Sequence, residues 1–242
     1  MSKQVTPYNS SESKKNQVRQ MFNNIALRYD FLNRLLSMGI DKGWRKKAIA
    51  LLPKKSSLQL LDIATGTGDL AIEIAQKYPD ASVTGLDLAP QMLEIGRSKA
   101  QKKNLSNAIT FIEGDAENLP FQDNTFDAIT VAFGVRNFET PVKGLKEIKR
   151  VLKPGGQLVI LEFSKTRNKV FNGIFNFYFK YILPSIGRLI SKDARAYQYL
   201  YDSVQAFPSG NAFIDLLEES GYQSNRWIPL TFGVCSIYYG EK

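Results

Sequence analysis

The chain has 242 residues, 43% of them hydrophobic and 23% charged, with a formal net charge of +9. That length suits one α/β domain with additions and can bury a substantial core. Histidine is absent and Cys235 is the single cysteine, which excludes an intramolecular disulfide, a Ser-His or Cys-His catalytic pair, and a metal site of imidazoles or clustered thiolates.

Residues 1–15 are polar, lack the apolar core of a secretory leader, and are expected to be disordered. A single domain is expected over 16–242. Its first part, 16–52, has helical periodicity, with Val18, Met21, Phe22, Ile25 and Tyr29 on one face, and is expected to form a helical cap.

The segment Leu58-Gln59-Leu60-Leu61-Asp62-Ile63-Ala64-Thr65-Gly66-Thr67-Gly68-Asp69 predicts a buried strand entering a glycine turn. Glycines let a backbone approach a ligand, and the N–H groups opening the next helix attract anions. Carboxylates flanking such a turn suit a sulfonium better than a pyrophosphate, so Asp62, just before it, and Asp69, just after it, are expected to attract a cation or hold the amino end of a methionine moiety. Gly66-Thr67-Gly68-Asp69-Leu70-Ala71 also satisfies the dinucleotide fingerprint. By itself it does not separate a nicotinamide cofactor from S-adenosylmethionine.

Strands are predicted near 58–64, 82–87, 108–113, 126–132 and 156–162, with helices near 69–78, 90–102 and 141–152. This alternation indicates a doubly wound, mostly parallel α/β sheet. Lys153-Pro154-Gly155-Gly156 is read as the stop after the last of these helices. Two further strands near 221–229 and 232–239 would complete seven as a terminal hairpin. Asp62, Asp87 and Asp115 would then lie at three strand ends along one sheet edge, where ligands of open α/β sheets bind. An acid at the second strand end can accept hydrogen bonds from ribose hydroxyls. The order of all three favours S-adenosylmethionine.

The segment 163–201 interrupts this alternation. Phe171, Ile174, Phe175, Phe177, Tyr178, Phe179, Tyr181, Ile182 and Leu183 would surround a helix with apolar groups, which suits a buried lid or a lipid- or prenyl-facing surface.

Several segments together resemble a known family. They are Phe22-Asn23-Asn24-Ile25-Ala26-Leu27-Arg28-Tyr29-Asp30, Gly39-Ile40, Trp44, the glycine loop, Phe133-Gly134-Val135-Arg136-Asn137 and Leu161-Glu162-Phe163-Ser164. The chain from about residue 18 is similar to the C-methyltransferases of menaquinone and ubiquinone biosynthesis, which are class I S-adenosylmethionine-dependent enzymes with a Rossmann-like fold. The resemblance implies methyl transfer to a ring carbon of a demethylated polyprenyl quinol, foremost demethylmenaquinol, with a benzoquinol as the alternative. It implies cofactor contacts at Thr67, Asp87, Asp115, Ala116 and Ala132, beside Asp62, Gly66 and Gly68 of the loop. Relatives often carry serine where this chain has Ala132, and histidine where it has Asp41.

A quinol carbon becomes nucleophilic when a neighbouring hydroxyl loses its proton. Arg136 is expected to stabilise the developing phenolate and Asn137 to orient the quinol oxygen. Arginine stays protonated, so Asp30 or Asp41 is expected to accept the proton, with Tyr29 as a hydrogen-bonding neighbour. Glu162, Ser164 and Lys165 follow the fifth strand without an assigned role.

Rival readings are a methyltransferase acting on another apolar molecule, a noncatalytic cofactor-binding subunit, and an RNA methyltransferase. The basic excess is spread over many helices, without an RNA-binding appendage or a base-flipping motif, so no nucleic acid partner is expected. Without an apolar run of about 18 residues, a cytoplasmic protein is expected, with transient peripheral membrane contact. A homodimer stays open.

Overall fold

Apolar runs bounded by turn residues become strands from residue 59 onward, and the amphipathic stretches between them become the covering helices. The computed structural model describes residues 5–8, 10–37, 39–165 and 194–242. Two helices, α1 (Lys14–Ser37) and α2 (Asp41–Ile49), precede the sheet. Then follow β1 (Gln59–Ile63), α3 (Asp69–Lys77), β2 (Ser82–Asp87), α4 (Pro90–Lys102), β3 (Ile109–Glu113) and β4 (Phe126–Ala132). A 3-10 turn (Val135–Asn137) leads to α5 (Pro141–Val151) and β5 (Leu152–Phe163). The chain ends with α6 (Ala194–Ala206), α7 (Asn211–Glu219), β6 (Gln223–Leu230) and β7 (Cys235–Glu241).

The sheet order is β3-β2-β1-β4-β5-β7-β6, parallel throughout except that β7 runs against both neighbours. Chain order reverses at β1, which pairs with β2 on one side and β4 on the other. A crevice opens outside the strand ends at such a switch point.

The predicted strands form, and the glycine-rich stop differs in detail. Helix α5 ends at Val151, and Lys153-Pro154-Gly155-Gly156 belongs to β5 as an irregularity. Phe126 pairs with Leu152, and the next pairing joins Ala128 to Gln157. Gly155 has φ +71° and Pro154 lacks an N–H, so the ladder cannot continue regularly through them.

Both sheet faces are covered. Leu60, Val83 and Val159 pack with Ile49, Ala71 and Ile74 on one face, while Leu145, Ile148, Phe213 and Leu217 pack over Ile129 and Ile160 on the other. Truncating one such leucine to alanine costs about 2–5 kcal/mol. A smaller cluster joins Val18, Met21 and Ile25 of α1 to Met92 of α4 and Tyr199 of α6. Helix α1 thereby lies over the crevice, and residues 5–8 reach it through Tyr8, whose N–H donates to Gln17 Oε1 at 2.9 Å. The apolar insertion predicted over 163–201 lies largely outside the described residues. Among those described, no helix is long and apolar enough to cross a membrane.

Candidate active site

The glycine loop is stapled by two carboxylates from different directions. Asp62 lies beneath it, 1% exposed, and accepts hydrogen bonds from Thr65 Oγ1 at 2.6 Å and Thr130 Oγ1 at 2.7 Å. Burial pushes its pKa up to about 6, against those two hydroxyls. Asp87, at the end of β2, holds the loop from the side. Its Oδ2 accepts from Gly66 N–H at 2.8 Å and its Oδ1 from Ala89 N–H at 2.9 Å. Gly68 then starts α3 with φ +78°, and a Cβ there would come within 2.8 Å of the Phe111 ring. Neither the dihedral nor the space suits another residue.

Beside the loop lies a cleft of about 720 Å³, its open mouth included, lined by Gly66, Asp87, Asp115, Ala116, Ala132 and Asn137, among others. Leu88, Met92 and Phe138 supply apolar walls. Asp115 faces it with Oδ1 holding Glu117 N–H at 2.9 Å and Oδ2 paired with Lys15. Burial raises the Asp87 pKa against the pull of the Ala89 and Gly66 N–H groups. Acidic strand ends beside apolar walls match an adenosyl group, whose ribose hydroxyls and adenine amine donate while its base is planar and apolar.

A second cavity, of about 830 Å³ with its opening, adjoins the first, and the two share Phe22, Tyr29 and Phe133 as walls. Met21, Ile25, Trp44, Phe163, Tyr199 and Arg136 line it. Phe133 ends β4 with φ +56°, a left-handed conformation that costs a bulky residue roughly 1–3 kcal/mol. Its ring stacks 4.7 Å from Phe163, and its carbonyl accepts from the Arg136 guanidinium. The next residue, Gly134, has no room for a side chain, since a Cβ would lie 2.5 Å from Ala64 Cβ. This crowding holds the ends of β1 and β4 together at the junction of the cavities.

Arg136 is the charged centre of the second cavity. Its Nη1 donates to Glu162 Oε1 at 2.8 Å, and Nε is buried with no hydrogen-bond partner among the described residues. Glu162 is fully buried, and desolvation raises its pKa against the pull of Arg136. Asn137 Oδ1 accepts from Tyr199 OH at 3.0 Å, and burial pushes the Tyr199 pKa up. Lys14, at the start of α1, donates through Nζ to the carbonyls of Arg136 and Phe138, both at 2.9 Å.

Not every expected contact faces a cavity. Asp62 is enclosed under the loop, with both carboxylate oxygens held by threonine hydroxyls, so it organises the turn. Thr67 Oγ1 donates to Asp30 Oδ1 at 2.5 Å, and neither residue lines the two cavities. Asp30 is held further by Lys99 Nζ at 2.9 Å, which also pairs with Asp69. Gly68 lies behind the loop against Phe111. Asp41 does line the second cavity. Burial raises its pKa, but bonds from Ser37 and Arg45 outweigh that and hold it below the usual carboxylate range, which makes it a weak proton acceptor. Tyr199, Lys14 and Glu162 are functional candidates that carry no role in the reading of the sequence. Tyr199 is separated from Asn137 by 62 positions, and no periodicity links them.

The description of the ubiE/COQ5 methyltransferase family matches residues 10–242. A demethylmenaquinone methyltransferase of Deinococcus radiodurans is 46% identical over 236 residues, covering 98% of this chain and 97% of that protein. A ubiquinone/menaquinone biosynthesis C-methyltransferase UbiE of a Geobacter species is 46% identical, over 93% of this chain and 96% of that protein. Among solved structures, a SAM-dependent methyltransferase from Aquifex aeolicus superposes with TM-score 0.60 at 20% identity, covering 81% of this chain and 88% of that one.

Proposed function

Since the chain belongs to the ubiE/COQ5 methyltransferase family, we propose that it transfers a methyl group from S-adenosylmethionine to a ring carbon of a demethylated polyprenyl quinol. Demethylmenaquinol is the acceptor we favour, in menaquinone biosynthesis, on the names of relatives at 44–46% identity. The observation that carries this reading is the pair of adjoining cavities, one edged by acids and one walled by aromatics with Arg136 beside them and Arg45 held by Asp41.

Asp87, Asp115, Gly66, Ala116 and Ala132 would hold S-adenosylmethionine, which supplies an electrophilic methyl group on a positively charged sulfur. Asp87 suits the ribose hydroxyls because each of its oxygens, already holding one N–H, keeps a free lone pair. At Ala132 any contact comes from the backbone, since the side chain has no polar atom.

The second cavity would take the quinol ring among Trp44, Phe133 and Phe163. A phenol pKa near 10 must fall about three units to ionise at neutrality, which amounts to roughly 4 kcal/mol. A hydrogen bond to a charged group supplies about 1.5–3 kcal/mol of this. Arg136 would therefore do most of the work by holding the phenolate oxygen, and Glu162 fixes the guanidinium from behind. Tyr199 and Asn137 form a neutral pair that can orient the second quinol oxygen. Of the two carboxylates considered as proton acceptors, only Asp41 lines this cavity. Its lowered pKa limits it to passing on a proton that Arg136 has already loosened.

Deleting the gene in its host tests this function directly. A demethylated menaquinone should accumulate and disappear when the gene is restored. An unchanged quinone pool would refute the proposal.

A further inference from the structure

Helix α1 has two faces of opposite use. Met21, Phe22, Ile25 and Tyr29 line the second cavity. At 3.6 residues per turn, Leu27, Phe31 and Arg34 fall about half a turn away, in one stripe. Leu27 is 92% exposed and Phe31 59% exposed, and Ile40, just past the end of the helix, is 41% exposed. Single exposed apolar residues are ordinary on a protein surface. Here Leu27 and Phe31 lie one helical turn apart on the outer stripe, and Ile40 follows the corner where Gly39 N–H donates to Arg34 O at 3.2 Å.

That corner borders a strongly basic groove. Arg34, Lys42, Lys46, Lys77 and Lys103 line it. Its two acids are already engaged, Asp69 by Lys99 and Glu73 by Arg45. Among the described residues, Arg34, Lys42, Lys46 and Lys103 have no ion-pair partner. The groove therefore presents net positive charge next to exposed aliphatic and aromatic side chains. Nucleic acid would satisfy the cations but offers nothing to Leu27 and Ile40. An anionic lipid layer satisfies both, with phosphates at the headgroup level and hydrocarbon just beneath.

We propose that the outer face of α1, the turn at Gly39-Ile40 and the start of α2 form the surface by which this protein rests on an anionic phospholipid layer. Leu27, Phe31 and Ile40 enter the acyl boundary, while Arg34, Lys42 and Lys46 meet headgroup phosphates. This rests on the prenylated-acceptor reading above. One helix would then separate the lipid from the acceptor cavity by its own thickness, letting a quinol ring enter while its tail stays in the bilayer.

The test is co-sedimentation of the full chain with vesicles of mixed phosphatidylglycerol and phosphatidylcholine, and with phosphatidylcholine alone. The unmodified protein should partition onto the mixed vesicles and be released by raised salt. The double substitution Leu27→Gln/Phe31→Gln should weaken partitioning by about tenfold or more, and Arg34→Gln/Lys42→Gln/Lys46→Gln should abolish the preference for phosphatidylglycerol. Both variants should methylate a tail-less quinol in solution at the unmodified rate, which shows that they are folded. No vesicle binding by the unmodified protein, or binding that neither variant changes, would overturn the proposal. So would Leu27→Gln/Phe31→Gln dissociating a dimer without altering vesicle binding, since the face would then serve a second copy of the chain. Vesicle binding lost as expected, with the tail-less quinol unmethylated by the unmodified protein, supports the surface and counts only against the functional reading.

Discussion

Arg136 Nη1 lies 2.8 Å from Glu162 Oε1 with both side chains almost wholly buried, 6% and 0% exposed. Such a pair is weak evidence of stability, because desolvating two ions roughly cancels their attraction. It serves better as a device for orientation, holding the guanidinium rigidly at the wall of the aromatic cavity. Arg136→Lys should keep S-adenosylmethionine affinity within about threefold while lowering kcat about 100-fold, or roughly 2.7 kcal/mol. Glu162→Gln should lower kcat less and move the ascending limb of the pH profile to higher pH, since a looser guanidinium lowers the phenol pKa less. Titration calorimetry with steady-state kinetics checks both, and unchanged turnover in Arg136→Lys would refute the role of Arg136.

Asp87 ties the glycine loop to β2 through Gly66 and Ala89. Replacing it by alanine leaves two backbone N–H groups unpaired and removes the carboxylate proposed to hold the ribose. The cofactor Kd should rise at least about tenfold, or roughly 1.4 kcal/mol, with the fold retained by circular dichroism. Unaltered affinity would detach Asp87 from the cofactor.

Asp62 makes a different prediction, in stability. Its folded pKa of about 6 exceeds the roughly 3.9 of an unfolded aspartate. Between these values the native state holds a proton that the unfolded state has released, so this group's contribution to stability falls as pH rises from about 4 to about 6. Asp62→Asn, neutral throughout, should remove that decline, so the difference in Tm between variant and unmodified protein should change across this window and level off above it. A difference independent of pH would contradict the assignment.

Gly68 carries both a left-handed φ and a steric limit. Gly68→Ala should destabilise by about 1–3 kcal/mol, measured by urea denaturation. Adding Phe111→Leu should return the steric share and leave the dihedral share. Full recovery, or none, would show that only one of the two causes operates.

The sheet was largely legible because period and punctuation are local. Helix α4 and strands β2 and β4 fall at their predicted bounds, and the acids at the ends of β1, β2 and β3 stand at the switch point as the topology requires. Which way each acid points was not legible. Asp62 and Asp87 lie near the ends of adjacent strands, Asp62 in register with Gly85, yet one turns under the loop to Thr130 of β4 and the other faces the cleft. That choice depends on a hydroxyl 68 positions away and a backbone N–H 21 positions away. The sequence leaves Asp30 and Asp41 as alternative proton acceptors, and helix geometry sends Asp30 to Thr67 and Lys99. The acceptor cavity was harder still, because its walls come from α1, α2, the turn after β4, β5 and α6, which are far apart in the chain.

The most direct test of the account is methyl transfer by the purified full chain from S-adenosylmethionine carrying a carbon-13 methyl group to demethylmenaquinol in detergent, followed by carbon-13 NMR of the product. The account predicts a new methyl resonance bonded to ring carbon, lost in Arg136→Lys. A methoxy resonance, or no transfer by protein shown calorimetrically to bind the donor, would contradict it.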